Sequence, residues 1–159
     1  CEMLTDYQAE KMANLGLIAS MQPNFTGKWG LPGGMYENRF EEDKLPELNR
    51  CGYLQERGVR LSFGSDGMPF DPLYGLHWAV NSPFETQKLP PRKALKAYTG
   101  GSAFSGGMEE KVGALEAGKY ADIVVLNGDP IKEHESIRDL KVEKTIFDGD
   151  IVFESEDEG

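Results

Sequence analysis

One carboxylate stands where chemistry is done. Val59-Arg60-Leu61-Ser62-Phe63 reads as a buried strand, Gly64 opens the backbone, and Ser65-Asp66 follows immediately. In α/β folds the crevice beyond the carboxyl ends of parallel strands is where ligands bind. A carboxylate there can ligate a cation, accept a proton or orient a substrate. The competing reading is structural: Asp66-Gly67 is also ordinary turn chemistry, and Asp66 could serve only as a cap.

The other groups able to do chemistry are few. The chain has two histidines and two cysteines. His77 lies on a helical stretch and reads as a packing or surface residue, while His134 falls in a connection far from the strand ends. A catalytic zinc site uses three protein ligands plus water, and no HxH, HExxH or carboxylate cluster joins Asp66. No nucleophile elbow is present, and neither Cys1 nor Cys51 has the positive neighbours that would activate it. Asp122, beside a turn, reads as structural.

The elements that must position Asp66 can be read in order. Thr5-Asp6-Tyr7-Gln8 fits a capping box and starts a helix that stops at Gly16. Leu17–Gln22 follows as a strand ended by Pro23. From Asn24 to about Lys44 the pattern predicts a long loop carrying Phe25, Trp29 and Tyr36, of the kind that forms lids or binding loops. A helix is expected over Leu45–Arg57, then the strand Val59–Phe63. Strand, helix, strand is a βαβ unit, so the two strands are expected to be parallel and to bring Gln22 near Asp66. Leu73–Val80 and a stretch starting at Pro91 and running through Tyr98 read as helices, and Ser105-Gly106-Gly107 marks a boundary. Beyond it Val112–Leu115 reads as short and extended, Ala121–Leu126 as a strand, and Asp148-Gly149 as the turn of a hairpin between Val142–Phe147 and Ile151–Phe153. The expected division is 1–108 and 109–159.

Composition sets outer limits. A 159-residue chain that is 39% hydrophobic can bury one ordinary core or one core with a satellite. A net charge of −10 with no basic cluster argues against nucleic acid and against anionic membrane surfaces. No apolar run approaches a membrane span. Two distant cysteines without CxxC spacing read as reduced thiols, which suits a cytoplasmic protein.

Several segments taken together resemble the C-terminal part of a metal-dependent amidohydrolase, closest to the N-acyl and exoenzyme-regulatory branch. They are Ile18-Ala19-Ser20-Met21-Gln22-Pro23, Gly64-Ser65-Asp66-Gly67-Met68-Pro69, Pro91–Thr99, and Val112–Leu126 with its Gly118-Lys119-Tyr120-Ala121-Asp122 core. The resemblance implies an α/β fold: the C-terminal portion of a (β/α)8 TIM-like barrel, strands seven and eight with their helices, plus part of a small β-sandwich. It implies that Asp66 is a metal ligand and catalytic acid/base, handling the proton of a metal-activated water in the hydrolysis of a non-peptide amide C–N bond. The expected cofactor is a divalent metal, zinc first, held by the full-length parent and not by this piece alone. Gln22, Trp29 and Met68 are the expected substrate contacts. The expected partners are a small-molecule amide and the N-terminal barrel portion, whose absence leaves strand edges open to homo-oligomers. The family's histidine ligands have no counterpart here, so the piece alone is expected to be inactive. The alternative is a non-catalytic α/β binding or interaction module.

Overall fold

The computed structural model describes residues 1–67 and 70–156. Thr5 and Gln8 close the expected capping box: the Gln8 N–H donates to Thr5 Oγ1 at 3.3 Å and the Thr5 N–H to Gln8 Oε1 at 2.9 Å. Helix α1 (Asp6–Asn14) runs from this cap to Gly16, whose φ of 66° is the left-handed conformation that glycine adopts without a Cβ penalty. Strand β1 (Ile18–Met21) follows.

The stretch expected as a long loop is instead folded. Helix α2 (Asn24–Trp29) starts directly after Pro23, and short 3₁₀ turns occupy Tyr36–Asn38 and Glu42–Glu47. The reason is apolar content. Phe25, Tyr36, Leu45 and Leu48 bury one another with Trp29, Phe40 and Phe84 packed around them, forming a second small core. The helix expected over Leu45–Arg57 is also cut short. Pro46 falls inside the 3₁₀ turn, Asn49 adopts φ 49°, and only α3 (Cys51–Glu56) is α-helical.

Strand β2 (Arg60–Phe63) pairs with β1 in parallel, with Ile18 opposite Arg60 and Met21 opposite Phe63. The crossover between them runs through α2 and α3, as a βαβ unit requires. Helix α4 (Pro72–Asn81) begins at Asp71, whose carboxylate accepts the Leu73 N–H at 2.9 Å. Helix α5 (Pro91–Lys96) widens into a π-turn at Ala97–Gly101 and continues as α6 (Ser102–Ser105). The main core gathers Ala19 and Met21 of β1, Leu61 and Phe63 of β2, Leu54, Leu76, Ala79, Ala94 and Ala97.

The last third forms a separate antiparallel sheet, β3 (Ile123–Leu126), β4 (Val142–Phe147) and β5 (Asp150–Glu154), in that order. The hairpin turn at Asp148-Gly149 has φ of 50° and 90°, as the dipeptide dictates. Asp122 has the structural role expected of it, accepting the Asp148 N–H at 2.9 Å. Val112–Leu115 forms no strand; Gly113, at φ 88°, turns the chain there. The 3₁₀ segment His134–Asp139 packs back on α4 and contributes Ile137, fully buried, to the main core. Among the described residues no helix is long and apolar enough to cross a membrane.

Candidate functional site

The parallel register builds the site from both strands at once. Beyond the last paired residues, the Gly64 N–H donates to Met21 O at 3.1 Å and adds one rung to the ladder. Gln22 and Gly64 therefore leave the sheet side by side. Gln22 is half-buried, and its carbonyl accepts the Phe25 N–H at 3.0 Å, which turns the chain into α2.

Asp66 is exposed and holds φ 49°, followed by Gly67 at φ 74°. Two consecutive left-handed residues form a tight turn, and Asp tolerates that region better than most side chains. The backbone thus satisfies the turn reading. The side chain does not: α4 is capped by Asp71, and among the described residues the Asp66 carboxylate forms no hydrogen bond or ion pair. Its carboxylate is presented to solvent at the strand end.

Behind this turn lies a polar clamp. Asn24, fully buried, sits three residues beyond Met21. The Tyr98 hydroxyl donates to Asn24 Oδ1 at 3.3 Å, and the Tyr98 ring meets Phe63 edge-on at 5.3 Å. Burial raises the Tyr98 pKa well above the usual phenol range, so the hydroxyl stays a donor. One side chain thereby ties the start of α2 to the end of β2. Neither Tyr98 nor Asn24 stands out in the sequence; a polar residue placed directly after a strand-ending proline was the available signal.

The other expected site residues fall as follows. Trp29 is half-buried, 4.4 Å from Phe25 and 6.1 Å from Tyr36 between ring centroids, within the second core. Met68 lies outside the described residues. His77 is buried on α4, with Asn81 Nδ2 3.2 Å from its Nδ1. Burial, reinforced by the Arg138 charge, lowers its pKa. His134 lies on the 3₁₀ segment, where its carbonyl accepts from Asn81 Nδ2 at 2.7 Å. Cys51 is buried, its thiol pushed up to about 12 by desolvation. Among the described residues no three His, Cys, Asp or Glu side chains converge as a metal site would require. Two grooves, of about 460 and 450 Å³, lie elsewhere: one beside Met3, Phe40 and Arg50, the other beside Val59, Arg60 and Lys96.

Comparison with known proteins gives a consistent match. The model of the Amidohydrolase family covers residues 1–153. YtcJ of Bacillus subtilis, a protein named as an amidohydrolase, is 30% identical over 169 aligned positions, covering 96% of this chain and 31% of YtcJ. The N-substituted formamide deformylase of Arthrobacter pascens is 29% identical, covering 92% of this chain and 29% of the deformylase. Among solved structures, an uncharacterized metal-dependent hydrolase of Pyrococcus furiosus superposes with a TM-score of 0.68 at 27% identity, covering 82% of this chain and 27% of that one. The chain thus spans about a third of the length of the relatives it matches.

Proposed function

The chain belongs to the amidohydrolase family, and from that premise we propose that it is the C-terminal part of a hydrolase that cleaves carbon–nitrogen bonds in small, non-peptide amides. β1 and β2 are barrel strands seven and eight, residues 1–108 belong to the barrel, and residues 109–159, with β3–β5, belong to a β-sandwich completed elsewhere in the polypeptide. The bond type is supported by the family and by the formamide-cleaving activity in the name of the Arthrobacter relative.

The carrying observation is Asp66: an exposed carboxylate, in a left-handed turn just past β2, with no structural partner among the described residues. Its role is acid/base. It takes a proton from the attacking water and delivers it to the departing nitrogen, so that the C–N bond breaks with a neutral amine leaving. Gln22, leaving β1 beside Gly64, contacts the substrate, and Trp29 at the end of α2 lines its approach; Met68, outside the described residues, is the remaining expected substrate contact.

The described residues of this chain do not by themselves fit a divalent-metal centre, because no three ligand side chains converge. Asp66 supplies one carboxylate; a zinc-class ion would need its other ligands from the portion of barrel that precedes β1. The chain alone is accordingly inactive, and its free thiols suit a cytoplasmic setting. The lack of converging ligands also favours the second reading, a non-catalytic interaction module.

The deciding experiment is Asp66→Asn in the full-length protein, assayed on a panel of N-substituted amides and formamides. Asn accepts the left-handed backbone, so the turn survives. The expected result is a loss of turnover of about 100-fold or more with an unchanged circular dichroism spectrum. Full retained turnover removes Asp66 from the mechanism, and a parent inert on every C–N substrate favours the interaction module.

A further inference from the structure

Asp66 is placed by its backbone alone. Among the described residues its carboxylate has no hydrogen bond or ion pair, so only the turn that carries it sets where it stands. That turn hangs between two stems. One is the end of β2 at Phe63, just before Gly64; the other is the start of α4 at its cap, Asp71.

Both stems meet one side chain. On the first, the Tyr98 ring packs edge-on against Phe63, with centroids 5.3 Å apart. On the second, the Tyr98 hydroxyl lies against Gly75, where no Cβ keeps it away. The Gly75 N–H donates to Asp71 O at 3.2 Å, so this contact reaches the first helical bond of α4 and its cap. From Asp71 the chain runs back to Phe70, whose ring stands beside Gly67: a Cβ on residue 67 would be 3.7 Å from Phe70 Cζ. Gly67 shares the left-handed turn of Asp66. The hydroxyl is itself fixed by Asn24 Oδ1 at 3.3 Å, and Asn24 is fully buried at the start of α2. Tyr98 belongs to the π-turn at Ala97–Gly101, and such widened turns recur at functional sites.

We propose that Tyr98 is a positioning residue for Asp66: it ties both stems of the Asp66 loop to one ring and one hydroxyl, and so holds the carboxylate where proton transfer needs it. This rests on the acid/base reading of Asp66 above. A stem fixed alone leaves the other free to carry the turn away; stems fixed to the same side chain are fixed to each other. Asn24 brings the end of β1 into the same joint, so Gln22 keeps its relation to Asp66. Placement matters because a displacement of about 1 Å can cost on the order of 100-fold in rate. Asp66 makes two transfers. It takes a proton from the attacking water, and it gives that proton to nitrogen as the C–N bond breaks and the electron pair moves to nitrogen. An alkylamine cannot leave without the second transfer, whereas a nitroaniline stabilises the electron pair itself and needs it little.

Tyr98→Phe in the full-length protein, assayed on N-butylformamide and on para-nitroformanilide, tests this role. The variant keeps the ring on Phe63 and removes only the hydroxyl. The kcat should fall about tenfold on N-butylformamide and less than about threefold on the nitroanilide, with KM within about twofold on both. A merely structural role lowers the amount of folded enzyme, which lowers both kcat values equally. Asn24→Ala removes the acceptor in place of the donor and should give the same selective loss; if one variant fails to fold, the other decides. An even loss on the two amides, or no loss, overturns the positioning role, and the acid/base reading survives it so long as Asp66→Asn has lost turnover. Turnover retained by Asp66→Asn, or a full-length protein inert on every amide, removes that reading and this proposal with it.

Discussion

The Tyr98 hydroxyl reaches Asn24 across 74 residues of sequence, and it does so through a gap that exists because residue 75 is glycine. A Cβ on Gly75 would lie 1.8 Å from the Tyr98 oxygen and 2.6 Å from Asn24 Oδ1. The clamp behind the strand ends is therefore a three-element joint between α2, α4 and the π-turn. Gly75→Ala, although it raises helix propensity, should destabilise the chain by about 2–3 kcal/mol through overpacking. Urea denaturation reads this directly; a variant as stable as the parent would mean that α4 shifts without cost.

Gln87 is a second joint, and a saturated one. Its Oε1 accepts from Thr26 Oγ1 at 3.1 Å and Ser82 Oγ at 2.7 Å, while its Nε2 donates to Leu45 O at 3.2 Å and Leu48 O at 2.8 Å. Every capacity of a buried amide is in use. Gln87→Ala strands two hydroxyls and two carbonyls, at a cost of about 3–5 kcal/mol. Gln87→Glu removes the two donors and should fail to restore stability. Denaturation midpoints of the two variants check both statements.

His77 makes stability depend on pH. Its folded-state pKa lies below the ordinary 6.5, chiefly through burial and secondarily through Arg138, with Asp139 opposing. The unfolded chain then binds the proton more readily. The His77 contribution is fully present above about 6.5 and is lost as pH falls toward the folded value. Thermal unfolding between pH 7.5 and 5.5 should show a falling melting temperature. His77→Leu should flatten the part of that slope that His77 contributes.

The two thiols should report folding by their reactivity. Cys1 is exposed, whereas Cys51 is buried, packs its sulfur 3.8 Å from Met21 Sδ, and has its thiol pushed up to about 12. A disulfide reagent at pH 8 should modify one thiol rapidly in the native chain and the second only on unfolding. Two fast thiols would show that the β1–α3 contact is open in solution.

Much of this architecture is legible in the residues because its causes are local. The Thr5–Gln8 box, the stop at Gly16 and the Asp148-Gly149 hairpin each follow from side chains a few positions apart. The parallel pairing of β1 and β2 follows from the order of elements. The segment from Asn24 to Leu48 misleads for the opposite reason. Its glycines and irregular spacing look like a loop, while its order comes from aromatic rings meeting across turns and from Phe84, far along the chain. The π-turn is likewise invisible: Gly100 and Gly101 carry no helical signal, and the use of Gly101 appears only when Leu61 O is seen against it. At the strand end the position of Asp66 is readable, but its left-handed backbone, and the fact that Asp71 does the capping, are not.

The β3–β4–β5 sheet has a practical consequence. Val124, Phe147, Ile151, Val152 and Phe153 are each about half exposed or more, on a chain whose isoelectric point is about 4.7. Near neutral pH the shared negative charge keeps such sheets apart, and that repulsion vanishes on acidification. Colloidal behaviour, more than folding, will set the conditions under which this chain can be concentrated: neutral to mildly alkaline buffers of low salt, which leave the repulsion unscreened, will hold it in solution, and a drift toward its isoelectric point will bring it down as precipitate.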